Sequence, residues 1–185
     1  ASNYTLTGGT HLIDITATSA FISGTRIYDG LLTIDGSILS FVDPNDSSAN
    51  VTISGTGSIS NADVGSYSIN VSGLSLSGTD EGNYNISSLS SAGNVNVTIG
   101  KRSLNLSGSK TYDGTNDITE SGLSIGNTIS GDTVSITGTA TLLNAAAGTR
   151  EINVDNLNLS GTDAGNYTLT DGTHQMTVNP VVLNI

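Results

Sequence analysis

Short apolar residues alternate with small polar residues along most of this chain. The alternation is clearest at residues 51–53, 67–71 and 134–137, and each stretch is bounded by glycine, serine, asparagine or aspartate. A period of two residues, rich in valine, isoleucine and threonine, is typical of strands with one buried face. No stretch carries a helical period, and the one helix-favouring run, residues 145–147, can hold at most a single turn before Gly148. The pattern therefore predicts an all-β protein.

The chain also repeats itself. Residues 1–11, 79–87 and 162–174 carry versions of one phrase built around Asn-Tyr, and the tripeptide Tyr-Asp-Gly begins at Tyr28 and at Tyr112. The Tyr-Asp-Gly copies are 112 − 28 = 84 residues apart, and the last two Asn-Tyr copies are 167 − 84 = 83 residues apart. A tandem unit of roughly eighty residues is indicated. Repeated modules supply length or several contacts at once, so function is expected to lie in the array rather than in one catalytic cleft.

Alignment of the copies predicts where the modules begin and end. Residues 17–100 and 101–179 are expected to be complete modules, residues 1–16 the tail strand of a preceding module, and residues 180–185 the first strand of a following one. A frame that begins at Asn3 is the alternative. Successive modules are joined across a few residues, and such short junctions allow little movement between domains. The sequence therefore predicts an elongated, stiff rod of small β-modules.

Composition narrows the classes of function. The chain has no cysteine, hence no disulfide, thiolate metal site or thiol nucleophile, which suits export through a narrow pore. A formal net charge of −11 with five lysines and arginines argues against binding to nucleic acid or anionic membranes, because phosphate groups are bound by clustered cations. No apolar run is long enough to span a bilayer, so membrane insertion is not expected. The negative charge is expected to keep an extracellular polymer soluble or to attract divalent cations.

A second motif, Asp-x-Gly-x-Tyr, occurs three times, starting at Asp63, Asp80 and Asp163. Glycine permits a tight backbone turn, and aspartate can accept hydrogen bonds from the amides of that turn. The tyrosine ring is expected to pack inward, with its hydroxyl reaching the backbone where a strand begins. Immunoglobulin-like sandwiches carry a similar tyrosine corner. The motif therefore predicts a structural turn, with surface recognition by the tyrosine as the alternative.

Tyr-Asp-Gly is expected to form a turn before a new strand, anchored by its aromatic ring. A catalytic aspartate is the alternative, but no acid, base or nucleophile recurs at the same distance in both modules. Lys110 occupies a strand that could hold an isopeptide crosslink, yet Arg26 replaces it in the other module, so such a crosslink cannot be general. His11 and His174 align with each other and have no other histidine near in sequence. We predict no catalytic residues and no enzyme activity.

Two oxygen-rich loops are candidate calcium sites. Asp43 and Asp46 lie in one loop, and Asp113 and Asp117 in the other. Neither loop has the glycine and the distal glutamate of an EF-hand. Clusters of aspartate and asparagine more often simply form turns. No cofactor and no metal site are therefore predicted, and calcium in these loops is the alternative.

At these phrases the chain resembles the YDG-type and related MBG-type tandem repeats of very large bacterial surface and secreted proteins, including filamentous-haemagglutinin-like adhesins. The resemblance is carried by residues 110–115, by residues 74–86 and 157–169, and by the closing strand that leads to residues 178–180. It covers nearly the whole chain, and it implies all-β modules in long arrays that have no catalytic residues. The first module departs from the pattern in its longer 86–99 stretch. Immunoglobulin-like and β-grasp-like sandwiches are both alternatives for the module fold.

These observations predict a structural stalk of a bacterial cell-surface adhesin, secreted or held at the cell surface, which projects an adhesive region for attachment or biofilm formation. Its expected partners are the neighbouring repeat modules. The alternative is an adhesin module that itself binds a glycan, a matrix protein or another surface.

Overall fold

The computed structural model describes residues 20–119 and 122–183, and in this part of the chain almost every ordered element is a strand. The predictions for residues 1–16, including His11, fall outside the described residues. The strands are β1 (Phe21–Ile27), β2 (Thr33–Asp35), β3 (Leu39–Val42), β4 (Thr52–Ser58), β5 (Gly65–Ser68), β6 (Leu74–Ser77), β7 (Val95–Gly100), β8 (Arg102–Ser103), β9 (Asn105–Thr111), β10 (Asp117–Ile118), β11 (Leu123–Gly126), β12 (Ser135–Gly138), β13 (Ala140–Leu142), β14 (Gly148–Asn153), β15 (Leu157–Ser160), β16 (Tyr167–Thr168) and β17 (His174–Asn179). The all-β prediction is confirmed.

One short helix, α1 (Ile86–Ser91), differs from the expectation that no helix forms. The side chain of Asn85 caps it by accepting a hydrogen bond from the amide of Ser88, and Leu89 buries its apolar face. Six residues are too few for a helical period to show in the sequence. Within residues 145–147, residues 146–147 form a bend rather than the single helical turn allowed there.

Residues 20–100 form a mixed sheet in the order β3-β1-β7-β5. Its centre is a parallel pair, β1 and β7, in register from Ile22 opposite Val95 to Ile27 opposite Gly100. Strands β2, β4 and β6 form a second sheet beside it. The first and last long strands of this half of the chain therefore lie side by side at its centre.

The second half repeats the central part of this arrangement. Strand β9 pairs in parallel with β17, flanked by β11 and β14, as β1 pairs with β7 between β3 and β5. The β12–β15 pair corresponds to β4 and β6. Strands β10 and β13 extend the second main sheet to six strands. Since an immunoglobulin-type sandwich is built from two antiparallel sheets, the parallel central pair departs from that alternative.

Glycine is required at the same place in both halves. Gly55 in β4 has a φ of 88°, and a β-carbon there would lie 2.2 Å from the carbonyl oxygen of Gly73. Gly138 in β12 has a φ of 110°, and its β-carbon would lie 2.1 Å from the oxygen of Asn156. Positive φ and a backbone in contact together exclude any residue with a side chain. The repeats thus share backbone detail as well as sequence phrases.

The cores follow from the alternation along the central strands. Val95, Val97 and Ile99 of β7 are buried, as are Met176 and Val178 of β17. One core cluster is confined to the second half, whereas the larger cluster includes residues of both halves, among them Tyr28, Leu104 and Tyr167. The larger core therefore continues across the boundary between the repeats. Among residues 20–119 and 122–183, no helix is long and apolar enough to cross a membrane.

Candidate functional site at the junction of the two modules

A group of hydrogen-bonded polar side chains and two tyrosine rings lies at the boundary between the repeats. Strand β7 ends at Gly100 and β8 begins at Arg102, so a single residue, Lys101, separates the two repeats. The side chains that meet there come from both repeats and are far apart in sequence. We call this interface the junction.

Tyr28 projects from the first repeat into the second. Its backbone amide donates to the oxygen of Gly100 at 2.9 Å, which fixes the residue just beyond the end of β1. Its side chain is 5% exposed, and its hydroxyl donates to Oδ2 of Asp132 at 2.9 Å. Its ring meets the ring of Tyr167 edge to face, with centroids 5.5 Å apart and planes at 77°. Such a pair contributes about 0.5–1.5 kcal/mol beyond the area it buries.

Asp132 accepts hydrogen bonds from two tyrosine hydroxyls. Tyr167 follows a 3₁₀ turn (Ala164–Asn166) and donates from its hydroxyl to Oδ2 of Asp132 at 2.6 Å. The same hydroxyl accepts a hydrogen bond from the amide of Ile129 at 2.9 Å. Burial raises the pKa of both Tyr28 and Tyr167, and the hydrogen bond to Asp132 raises each further. Both phenols are therefore neutral donors at physiological pH, and the carboxylate links the two repeats.

Asn166 forms a second link beside the tyrosines. It is buried, its Nδ2 donates to Oδ1 of Asp63 at 2.9 Å, and its Oδ1 accepts from the amide of Val64 at 2.8 Å. Both polar atoms of a buried amide are thus satisfied across the junction, which makes its geometry specific. The first copy of Asp-x-Gly-x-Tyr supplies Asp63, and the third copy supplies Asn166.

Arg102 makes the third set of hydrogen bonds at the junction. Its Nε donates to the oxygen of Asn127 at 2.8 Å, its Nη2 to Oδ1 of Asn127 at 2.7 Å, and its Nη1 to the oxygen of Tyr28 at 3.4 Å. Asn127 adopts a left-handed φ of 69°, and its Nδ2 donates to Ser103 at 2.7 Å. The planar guanidinium thus holds the carbonyl end of the Tyr-Asp-Gly tyrosine against the second repeat.

The Tyr-Asp-Gly sequences form turns, as predicted. Asp29 accepts from the amide of Leu31 at 3.0 Å, and Asp113 from the amide of Thr115 at 3.0 Å. The glycines that follow have φ of 74° and 79°. Hydrogen bonds from the amide and hydroxyl of Thr115 and from Lys110 lower the pKa of Asp113 to about 2. The aspartates are therefore engaged in holding the turn.

The basic residue before each Tyr-Asp-Gly has a structural role in the same turn. Nζ of Lys110 donates to the oxygen of Asp117 at 2.9 Å and to that of Thr115 at 3.2 Å, and it lies 2.9 Å from Asp113. Arg26 donates to the oxygens of Leu31 and Thr33 in the first repeat. Lysine and arginine can both satisfy these carbonyls, which explains why the repeats use either. Lys110 is thus occupied by its own turn.

The Asp-x-Gly-x-Tyr prediction needs two corrections, one for the tyrosine and one for the aspartate. The hydroxyl of Tyr167 contacts a backbone amide as expected, but that of Tyr84 donates to the side chain of Asp43. Asp80 and Asp163 do not cap the amides of their own turns. Instead, Oδ2 of Asp80 accepts from the amide of Asn50 at 2.8 Å, and Oδ2 of Asp163 from the amide of Thr133 at 2.7 Å, thirty residues away in each repeat. The reason is geometric, because the 3₁₀ turn directs the carboxylate toward the facing loop. The motif therefore ties a loop to a strand end.

Asp43 and Asp46, the candidate calcium ligands of the first loop, accept hydrogen bonds from other groups of the protein. Asp43 accepts from the amide of Asn45 and from the hydroxyl of Tyr84, while Asp46 accepts from the amide and hydroxyl of Ser48. Burial and the bond to Asp43 raise the pKa of Tyr84 to about 12. In the described ranges no group of three or more histidine, cysteine, aspartate or glutamate side chains could hold a metal ion. Nε2 of His174 lies 2.7 Å from the oxygen of Leu169, so that histidine is engaged within its own loop.

Sequence reasoning did not find Asp132, Asn166 or Arg102. Asn166 could have been found, because the same asparagine recurs at Asn83 before Tyr84. The other repeat has different residues at the positions of Asp132 and Arg102. A comparison of the repeats therefore does not single these two residues out. The junction is therefore built partly from residues in which the two modules differ.

Comparison with protein families identifies the chain. The YDG domain matches it twice in tandem, at residues 14–92 and 94–175. The chain belongs to the YDG domain family. No curated protein and no solved structure matches it significantly.

Proposed function

We propose that this chain is a structural extender from the stalk of a bacterial cell-surface adhesin. The observation that supports the proposal most directly is the junction, where Tyr28 of one module is buried against Tyr167 and Asp132 of the next. Such a buried, hydrogen-bonded interface would allow consecutive modules to transmit force and to maintain the reach of the array.

The connection between the modules favours stiffness. A linker of one residue is too short to act as a flexible spacer. Three sets of contacts hold the interface. Tyr28 and Tyr167 donate to Asp132, Asn166 bonds to Asp63 and Val64, and the guanidinium of Arg102 donates to the oxygen of Tyr28. Bending the junction would break buried hydrogen bonds, at about 0.5–1.5 kcal/mol net for each neutral bond and about 1.5–3 for those to charged groups.

Placement at the bacterial surface is supported by the family resemblance and by composition. A cysteine-free chain has no thiol to oxidise during export, and an excess of negative charge keeps a crowded extracellular polymer soluble. In this proposal, a separate region that the stalk carries performs the adhesion.

Small-angle scattering from chains with increasing numbers of modules tests the proposal. The expected result is a particle whose cross-section stays constant while its length grows in proportion to module number. A compact particle, or a length that grows as the square root of module number, would contradict it. Binding of the unmodified chain to a defined sugar on a glycan array, lost on mutation of an exposed tyrosine, would favour the ligand-binding alternative.

A further inference from the structure

The second module presents an uncovered copy of the surface that the first module buries at the junction. The amide of Tyr112 donates to the oxygen of Asn179 at 2.8 Å, as the amide of Tyr28 donates to that of Gly100 at 2.9 Å. Tyr112 therefore has the same position in the second module as Tyr28 in the first. Tyr28 is 5% exposed and Tyr112 is 45% exposed. The difference is the neighbouring module that covers Tyr28.

The residues after the last strand show the same contrast. Because Asn179 corresponds to Gly100, Leu183 corresponds to Leu104 four residues later. Leu104 is fully buried in the core that continues across the junction, whereas Leu183 is 84% exposed. A buried position of the repeat is thus left open to solvent.

These residues form one continuous apolar concavity, which we call the Tyr112 surface and define by Tyr112, Ala146, Ala147, Val181 and Leu183. Contiguous exposed apolar side chains of this kind mark interaction sites. The Tyr112 surface has fewer polar groups than the junction. Ala146 occupies the position that corresponds to Asp63, and Val181 occupies the position that corresponds to Arg102. The Tyr112 surface therefore keeps the tyrosine of the junction but lacks the charged groups that Asp63 and Arg102 supply there.

The existing junction shows which partner covers such a tyrosine. The face that covers Tyr28 is the Asp-x-Gly-Asn-Tyr turn that contains Asn166 and Tyr167. The same two residues recur in the first module as Asn83 and Tyr84. Strand β8 lies parallel to β16, with Arg102 opposite Tyr167, so the segment entering a module pairs with the end of that turn. Val181 occupies the position of Arg102 in the segment that leaves the second module.

We propose that the Tyr112 surface docks a further YDG module through the Asp-x-Gly-Asn-Tyr turn of that module. Residues 180–183 enter the docked module as its first strand, with Val181 opposite the tyrosine of the turn. The asparagine of the turn accepts from the amide of Ala147, as Asn166 accepts from Val64. This inference deepens the proposed stalk function and rests on it, and it specifies the register in which modules join.

A chain extended in register tests the proposal. Residues 107–185 are repeated after Ile185, because Ile185 corresponds to Leu106, and the repeated Tyr112 is changed to phenylalanine so that peptides are distinguishable. Tyrosines are nitrated with tetranitromethane and quantified by mass spectrometry in the original and the extended chain. Tyr28 serves as the buried internal reference. We expect the nitration rate of Tyr112 to fall by about tenfold or more in the extended chain, toward that of Tyr28, since docking limits access to rare local openings.

Two variants of the extended chain control the interpretation. Ala147→Glu places a charge on the Tyr112 surface without altering the appended module, and it should restore nitration of Tyr112. Ala92→Glu makes the same change at an exposed alanine of the first module and should leave Tyr112 protected. The proposal is overturned if the appended module is folded by circular dichroism and Tyr112 reacts as in the original chain. It is equally overturned if that module stays unfolded, because residues 180–185 then fail to complete it.

The outcome is separable from that of the scattering experiment. Protection of Tyr112 in a chain whose length does not grow linearly would support the docking register and reject the stalk. Linear growth with an unprotected Tyr112 would retain a stiff array and reject this interface.

Discussion

Truncation of the two Tyr-Asp-Gly tyrosines should have unequal effects, although they occupy the same position in two copies of one module. Tyr28→Ala removes a ring that is almost completely buried and a hydroxyl bonded to Asp132. Truncation of a buried aromatic residue costs about 3–5 kcal/mol. Tyr112 has nearly half of its surface exposed and does not contact a second module, so the same truncation should cost about 2–3 kcal/mol if the loss scales with buried area.

The difference between the two variants, about 1–2 kcal/mol, isolates the contribution of the junction, because the local turn is removed in both. Urea denaturation followed by far-ultraviolet circular dichroism gives both free energies of unfolding. The unmodified chain should unfold in one transition, since its larger core spans both modules. Tyr28→Ala should separate the transitions of the two modules, while Tyr112→Ala should leave them coupled. Equal losses in the two variants, with coupling retained in both, would refute the claim that the neighbouring module is what stabilises Tyr28.

Three further outcomes follow from the structure. Burial raises the pKa of Tyr28 and Tyr167 above the unfolded value near 10, so their contribution to stability is complete below pH 10 and is lost as pH rises above it. Urea midpoints measured from pH 8 to pH 12, with phenolate absorbance at 295 nm, should show a decline that starts near pH 10. A midpoint independent of pH would contradict this expectation. Gly55→Ala should cost several kcal/mol, on the order of 2–4, because it combines positive φ with a backbone clash. Gly82→Ala, at a site with open space and no positive φ, should change stability by no more than about 0.5 kcal/mol. Thermal melts of both glycine variants check this, and similar losses for both would refute the steric argument.

The repeat phrases predicted the turns and the strand class because those features are local. The turn at Tyr112 depends on Asp113 and Thr115, both within three residues. The alternation in β7 and β17 reflects one buried face, which is visible in any single strand. The second copy of each phrase provided a further example of the same local pattern.

The junction could not be predicted in the same way, because its contacts are long-range and its residues differ between modules. Tyr28 and Asp132 are 104 residues apart, and no local pattern relates them. Asp63 and Arg102 are replaced by Ala146 and Val181 at the equivalent positions. A comparison of repeats emphasises what the modules share, whereas their interface is built in part from what they do not share.

The helix α1 was missed for a different reason. Its six residues are stabilised by the cap at Asn85 and by burial of Leu89 rather than by intrinsic propensity, and short helices depend on tertiary packing. The serines that fill it favour turns when considered alone.

The central claim is that the two modules are held as one stiff unit, and a distance distribution across the junction tests it most directly. Because the chain has no cysteine, Leu32→Cys and Leu143→Cys, both at exposed leucines of different modules, allow specific attachment of two nitroxide labels. Pulsed electron spin resonance should give a single narrow distance distribution that broadens when Tyr28→Ala is added. A broad distribution in the chain with Tyr28 intact would contradict the account.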